Sequence, residues 1–368
     1  MPLADALGHT LAKPLSALTD LPSFDTCAMD GWAVSGPGPW RLAGRLLAGQ
    51  APADSLPDGH ALQIATGAAL PPGATAVLRR EDGRSEGTVL HAIHGALGPG
   101  RDIRIRAQEC QAGEDLLASG TPVSPAVLGL AAAAGYDELY VTRRPRVDVL
   151  VLGDELLDHG LPTAGRIRDA LGPLLPPWLR AMGAEVVSVR RVGDDADSLQ
   201  EAVTGGEADL VLTTGGTAGG PVDFVHPVLN RIGARVLVDG VAVRPGHPML
   251  LAQLASGKHL VGLPGNPLAA VSGLLTLAAP LLHTLAGRTA NVTATAVLAA
   301  DVPGHATDTR LIPVALKNWT QAVPRDFNGP AMLRGLATAD AMAVIPPGGA
   351  TAGCRTTLLT AGWAKTIP

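Results

Sequence analysis

Apolar and polar positions alternate most regularly from Arg146 onward. Short apolar runs at 147–152, 185–189 and 209–213 read as buried strands, and 168–183 and 196–203 read as helices. A further strand at 259–262 leads into an apolar helix over 267–285. Strands alternating with helices predict a mostly parallel, doubly wound sheet covered on both faces. Pro173, Pro176 and Pro177 interrupt the first crossover helix. An interior proline loses a hydrogen bond and costs roughly 3 kcal/mol or more, so the helix is expected to start at Pro177 or to open with an irregular turn.

The flanking segments have a different pattern. Residues 1–35 carry one short helical run, 3–11, and then Pro-punctuated turns into SFDTCAMDGWAV. Residues 36–110 hold short runs at 61–66, 76–79 and 88–93 between Gly and Pro, which reads as small β structure. Residues 111–143 return to helix in SPAVLGLAAAAGYDEL, with a serine start and a stop at Gly135. Runs at 292–298, 311–316, 341–345 and 356–359 make 291–368 β-like again. The expected fold class is α/β multidomain. A helical domain (1–35 plus 111–143), a small β domain (36–110) and a C-terminal β domain (291–368) flank a central doubly wound α/β domain (144–290).

Composition narrows the function. Of the 368 residues 46% are hydrophobic but only 3% aromatic, so the cores must be aliphatic. A net charge of −5 and the lack of a basic tract with interleaved aromatics argue against a nucleic-acid partner. The start MPLADALGHTLAKPL has no charged lead before an apolar core, and the longest apolar runs contain Gly or Pro, so no membrane segment is expected. Cys27, Cys110 and Cys354 are widely spaced and odd in number, which fits a reducing, cytoplasmic setting.

The candidate chemistry lies at strand ends. The strand at 209–213 runs into Thr213, Thr214, Gly215, Gly216, Thr217, Ala218, Gly219 and Gly220, then toward a helix led by Asp223. Glycines there let the backbone approach a ligand, and a following helix N-terminus offers N–H groups to an anion. The second loop, Leu263-Pro264-Gly265, repeats the design, with Asn266 as expected N-cap and Pro267 at the first helical position. There is no GxxxxGK[ST] and no strand-borne GxGxxG, which disfavours a P-loop or a dinucleotide fold.

Acidic residues recur beside these loops: Asp154, Glu155, Asp169, Asp194, Asp195 and Asp223. Such a set suits Mg²⁺, which takes one or two carboxylates plus ligand phosphate oxygens. The plainer reading is solvated carboxylates and caps, and Asp195 is expected to cap the helix at 196. Asp30, in Met29-Asp30-Gly31, and Thr66-Gly67 both fit ordinary turns. Arg101, Arg104 and Arg106 form an alternating basic set, either a solvated strand face or a phosphate contact. Arg244 and His247, in VRPGHP, are placed to touch an oxyanion.

With these residues in hand, the chain resembles the molybdopterin molybdenumtransferase family, MoeA and the E-domain of gephyrin, along nearly its whole length. The matching segments are PSFDTCAMDGWAV (22–34), IATGAALPPGATAVL (64–78), LGDELLD (152–158), GRIRDA (165–170), TTGGTAGGPVDF (213–224), VRPGHP (243–248), GLPGNP (262–267) and NGPAMLRGLATADAMAVIPPG (328–348). The resemblance implies a four-part subunit with a MogA-like central domain. It implies an enzyme that takes adenylylated molybdopterin and molybdate with Mg²⁺, releases AMP and forms molybdenum cofactor. It further implies a homodimer, with the cleft between the α/β domain of one subunit and the small β domain of the other, and an apo-molybdoenzyme or cofactor-synthesis partner.

By motif position the resemblance implies catalytic roles for Asp30, Glu155 and Asp223, with Glu155 and Asp223 holding Mg²⁺. Substrate contacts would fall to Thr66, Gly67, Asp194, Thr214, Gly215, Gly216, Thr217, Arg244, His247, Pro264, Gly265 and Asn266. The chain departs from the family pattern at Cys110, where an Asp is usual, at Arg244 and His247, where lysines are usual, at Pro330, where a serine is usual, and at Leu171, where an Asn is usual. The retained acidic framework favours an enzyme. The altered positions favour the alternative, a non-catalytic carrier or maturation protein that binds molybdopterin or finished cofactor. A scaffolding role finds no support in the residues.

Overall fold

The computed structural model describes residues 1–51, 54–95, 97–220, 223–289 and 294–360. The chain forms two compact units, Met1–Leu7 with Leu11–Val141, and Gly8–Thr10 with Thr142–Pro368. The expected positions Pro221, Val222, 292, 293 and 361–368 lie outside the described residues.

In the first unit six strands form one sheet: β1 (Gly31–Val34), β2 (Trp40–Leu46), β3 (His60–Ile64), β4 (Ala76–Arg79), β5 (Gly83–Glu86) and β6 (Val89–Ala92), in the order β4-β1-β3-β2-β6-β5. Alternate side chains leave opposite faces of a strand, and both faces here are buried. Ala33, Ile64 and Val77 enter one cluster with Cys27, whereas Val34, Ala61 and Leu78 enter another around Trp40 and Leu90. Strand β1, which the sequence reading grouped with the helical domain (1–35 plus 111–143), therefore sits inside the β sheet. The expected helix over 3–11 is only a 3₁₀ turn, Leu3–Asp5, because Gly8 adopts φ +79° and breaks the run. Helix α1 (Pro125–Ala133) forms as expected. The Ser124 hydroxyl accepts from the Val127 N–H at 3.3 Å, and Gly135 ends it at φ +100°.

The second unit opens with the α/β layers: β7 (Arg146–Leu152), α2 (Leu171–Ala181), β8 (Glu185–Val192), α3 (Ala196–Thr204), β9 (Leu210–Thr214), α4 (Val225–Arg231), β10 (Arg235–Asp239), β11 (Leu250–Gln253), β12 (His259–Leu263) and α5 (Pro267–Leu285). The sheet order is β8-β7-β9-β12-β11-β10, parallel from β8 to β12 and antiparallel beyond. Period-2 alternation sorts its two faces. Val147, Val149, Val151, Leu210, Leu212, Val261 and Leu263 pack with α2 and α5. Leu150, Val211 and Leu260 pack with α3 and α4.

Helix α2 starts at Leu171, not Pro177, and runs through Pro176 and Pro177. Pro173 lies in the first turn, where an N–H has no helical partner to lose. The Asp169 carboxylate accepts from the N–H groups of Leu171 and Gly172, each at 2.9 Å, and buried Leu171, Leu175, Pro176 and Leu179 hold the helix on the sheet. Helix α5 contains a π segment, Leu274–Ala278. Contrary to the expectation that no apolar run is long enough, α5 has the length and apolarity of a membrane span. Its Leu268, Val271, Leu274, Ala278 and Leu282 are core residues, which accounts for that apolarity.

Five longer strands follow among the described residues: β13 (Ala294–Leu298), β14 (Thr309–Lys317), β15 (Gln321–Pro324), β16 (Ala341–Ile345) and β17 (Arg355–Leu359). β14 pairs with β15 and β16, β15 with β13, β13 with β17, and β17 with β16, so the sheet closes on itself. The two-residue strand Val243–Arg244 adds to the start of β14 in parallel, with Arg244 opposite Arg310.

Candidate functional site

Chain order and sheet order together locate a crevice. β7 is flanked by β8 on one side and β9 on the other, so the connections leaving the carboxyl ends of β7 and β9 diverge. A cavity of about 570 Å³ opens at that point. Leu152, Gly153 and Glu155 reach it from the end of β7, and Thr214, Gly215 and Gly216 from the end of β9. Asp194, Asp223, Gly265 and Asn266 also line it. Eight of the residues given site roles by the family resemblance (Glu155, Asp194, Thr214, Gly215, Gly216, Asp223, Gly265 and Asn266) thus share one cavity.

The glycine loop is built to approach closely. Gly215 and Gly216 adopt φ +83° and +71°, a region that side chains disfavour. The Gly215 N–H donates to the Leu263 carbonyl at 2.8 Å, tying this loop to the one after β12. The N–H groups of Gly216, Thr217, Ala218 and Gly219 have no acceptor among the described residues. The Asp223 carboxylate accepts from the Gly220 N–H and closes the loop. It does not lead the helix as expected: α4 is seven residues long and starts after Phe224 with no side-chain cap. Thr217 is 5% exposed and outside the cavity lining, and its methyl group packs against Gly262, where any Cβ would lie 2.7 Å away.

The second loop differs from expectation at its helix start. Asn266 occupies the N-cap position with extended backbone, but its side chain makes no capping hydrogen bond. Instead, the Pro330 carbonyl accepts from the N–H groups of Leu268 and Ala269, at 2.9 and 3.3 Å. Those donors are therefore taken, and Asn266 lines the cavity without a capping bond to make.

The cavity is acidic. Glu155, Asp169, Asp194 and Asp223 line it against the single guanidinium of Arg168. Asp169 is committed to α2, and the Asp194 carboxylate accepts only a long contact, 3.5 Å, from the Asp154 N–H. Asp195 caps α3 as expected, accepting from the Ser198 N–H at 2.7 Å. The Glu155 carboxylate has no hydrogen bond or ion pair among the described residues and folds back over Gly153. An all-oxygen donor set suits a hard cation such as Mg²⁺. Among the described residues no three His, Cys, Asp or Glu side chains gather at metal-binding range, so such a cation would need ligand oxygens to complete its shell.

A second cavity, about 360 Å³, has the opposite character. Arg244, His247 and Arg310 line it with Pro264, Asn266 and Pro330, and no carboxylate does. His247 Nδ1 lies 2.9 Å from the Val241 carbonyl, which can only accept, so that nitrogen carries the proton. Arg244 Nε donates to Asp308 at 2.7 Å, and this guanidinium holds the Asp308 carboxyl below the usual carboxylate range. Asn266 is a wall of both cavities. Asp308 was not singled out in the sequence, and Arg310 entered only through the resemblance, as part of an arginine-bearing strand, TDTRLIPV, that aligns poorly with the family pattern. For Asp308 the signal is no more than the charged TDTR segment.

Asp30, Thr66 and Gly67 belong to the first unit. Asp30 lines a hollow of about 210 Å³ with Arg45 and Arg80. Its carboxyl is held below the ordinary range, first by the Thr66 N–H and then by the Thr66 hydroxyl. Gly67 turns the chain at φ +81°. Of the basic set, Arg101 pairs with Asp82 at 3.0 Å and Arg106 with Asp20, the reading of a satisfied surface. Cys110 is a buried core thiol, with its carbonyl accepting from the Leu21 N–H at 2.9 Å.

Comparison with known proteins accords with this geometry. Three family profiles match in succession: the MoeA N-terminal region (domain I and II) over residues 1–135, a "probable molybdopterin binding domain" over 148–284, and the MoeA C-terminal region (domain IV) over 295–353. A molybdopterin molybdenumtransferase of Synechococcus elongatus is 35% identical over 284 residues, 73% of this chain and 70% of that protein. One from Staphylococcus epidermidis is 30% identical over 364 residues, 94% of this chain and 86% of that protein. The crystal structure of a molybdopterin biosynthesis MoeA protein from Pyrococcus horikoshii superposes with a TM-score of 0.77 at 26% identity, covering 98% of this chain and 93% of that one. The chain belongs to the molybdopterin molybdenumtransferase family of enzymes, whose members act in molybdenum cofactor biosynthesis.

Proposed function

We propose that this chain inserts molybdenum, taking adenylylated molybdopterin and molybdate, releasing AMP and yielding molybdenum cofactor. The observation that carries this reading is the pairing of an acidic and a basic cavity that share Asn266 as a common wall. A pyrophosphate cannot settle among four carboxylates and one arginine without a cation to offset their charge. Glu155 and Asp223, with Asp194 nearby, would hold Mg²⁺ against the pyrophosphate oxygens. The metal would supply charge neutralisation at phosphorus during AMP release. The free N–H groups of the glycine loop would bind phosphate oxygens. The basic cavity would hold the oxyanion, molybdate, through the guanidiniums of Arg244 and Arg310, with His247 forming part of its wall.

The remaining parts fit the same scheme. Asp30, Thr66 and Gly67 would complete the site from a second copy of the chain in a homodimer. The four-part domain division and a cytoplasmic setting belong to this reading as well. The test is to incubate the purified protein with adenylylated molybdopterin, molybdate and Mg²⁺, and to follow AMP release together with reconstitution of an apo-molybdoenzyme. Release with reconstitution is expected. Tight binding of the pterin nucleotide without AMP release would replace this function with that of a carrier.

A further inference from the structure

We propose that Asp308 is the positioning residue of the oxyanion pocket, a role that rests on the reading of that pocket given above. Asp308 is only 9% exposed. One carboxylate oxygen accepts from Arg244 Nε at 2.7 Å, and the other accepts from the Thr307 hydroxyl at 2.9 Å. Its own N–H donates to His305 Nδ1 at 3.1 Å, and the Thr307 N–H donates to the same nitrogen at 3.3 Å. The Thr307 hydroxyl thus holds one carboxylate oxygen, and His305 holds the backbone beneath it, leaving the other oxygen for Arg244.

The manner of contact matters. Asp308 grips Arg244 through Nε, and neither Nη of Arg244 has an acceptor among the described residues. A guanidinium presents its donors as a rigid planar fork, so fixing Nε also aims both Nη groups. That fork matches two oxygens of a tetrahedral oxyanion. A lysine at this position would offer a point charge that the same carboxylate could not orient.

Charge points the same way. Arg244 and Arg310 are register partners on parallel strands, and like charges placed directly opposite repel. Arg310 has one Nη1 contact, to the Pro303 carbonyl, which carries no formal charge. The Asp308 carboxylate on Arg244 offsets one of the two guanidinium charges yet leaves the pocket a net positive charge for a dianion.

The experiment measures molybdate binding to the purified full chain by calorimetry, and KM for molybdate against kcat in the AMP-release assay. Asp308→Ala is expected to weaken molybdate binding and raise KM about tenfold, with kcat within about twofold. Asp308→Asn, which keeps acceptor and shape, should recover part of the affinity. In an Arg244→Ala background, Asp308→Ala should add less than about twofold, because its target is gone. Wild-type molybdate affinity in both Asp308 variants would overturn the inference, as would an equal loss with or without Arg244. No molybdate binding by the wild-type protein would overturn the reading of the pocket, and this role with it.

Discussion

One carboxylate oxygen of Asp30 accepts both the N–H and the hydroxyl of Thr66, at 2.7 and 2.9 Å. The pair fixes an exposed carboxylate in one orientation. Thr66→Val keeps the N–H bond and removes the hydroxyl bond, so it should lower turnover by about tenfold or less with an unchanged melting profile. Asp30→Ala removes the acceptor itself and should cost more than Thr66→Val. Equal activity of Asp30→Ala and wild type in cofactor reconstitution would remove this pair from the site.

Asn266 separates stability from binding. An N-cap side chain is ordinarily worth about 1 kcal/mol, but Asn266 makes no capping bond and Pro330 satisfies the helix start. Asn266→Ala should therefore leave stability within about 0.5 kcal/mol in urea titration while weakening pterin-nucleotide binding. Lost stability with intact affinity would assign the residue to the fold alone.

Asp223→Asn retains an acceptor for the Gly220 N–H and so keeps the loop turn, while removing one negative charge from the cavity. AMP release should fall sharply and need more Mg²⁺. Release unchanged at every Mg²⁺ concentration would exclude Asp223 as a metal ligand.

The three thiols should separate in a timed alkylation followed by peptide mass analysis. Cys354 is exposed, whereas Cys27 and Cys110 are buried. Burial pushes both buried thiols up, aided at Cys110 by Glu114 and Glu109. Thiolate is the reactive form, so Cys354 should be modified first, by about tenfold or more at neutral pH. Equal rates would show that the buried pair is reached by opening of the first unit.

Acid should weaken the second unit through Asp209. Burial raises its carboxyl, but the two Arg143 contacts at 2.7 Å and the Arg146 N–H at 2.7 Å outweigh it, and the net shift is downward. A carboxylate depressed in the folded state stabilises above its unfolded value, about 3.9, and loses that contribution as pH falls through its folded value. Wild type should melt above Asp209→Asn at pH 7, and the gap should close below about pH 4. A gap independent of pH would show that the Arg143 contact carries no charge effect.

Much of the α/β layer was legible because local pattern and tertiary burial agree there. Val147, Val149 and Val151 alternate with residues of the other face, and both faces are covered. Glu155, Asp223 and the glycines were legible because strand ends announce themselves in sequence. What was not legible depended on distant partners. Pro176 and Pro177 stay helical because burial on the sheet outweighs two lost hydrogen bonds. The donors after Asn266 are occupied by the carbonyl of Pro330, more than sixty positions away. Asp308 meets Arg244 across a separation of 64 residues, which no local motif records.

The closed sheet of the second unit has a cost during folding. Ala294 pairs with Leu358, so the ring is sealed only by strands far apart in sequence. Before β17 docks, β13 and β16 each present an unpaired edge, the kind that templates aggregation. Pairing of this range is slow relative to local hairpins. Arg244 is registered on β14, which pairs with β15 and β16 and not with β17, so the wall carrying Arg244 and Arg310 does not wait for the ring to seal. Conditions that slow the docking of β17 should therefore yield sticky chains that still carry the basic wall.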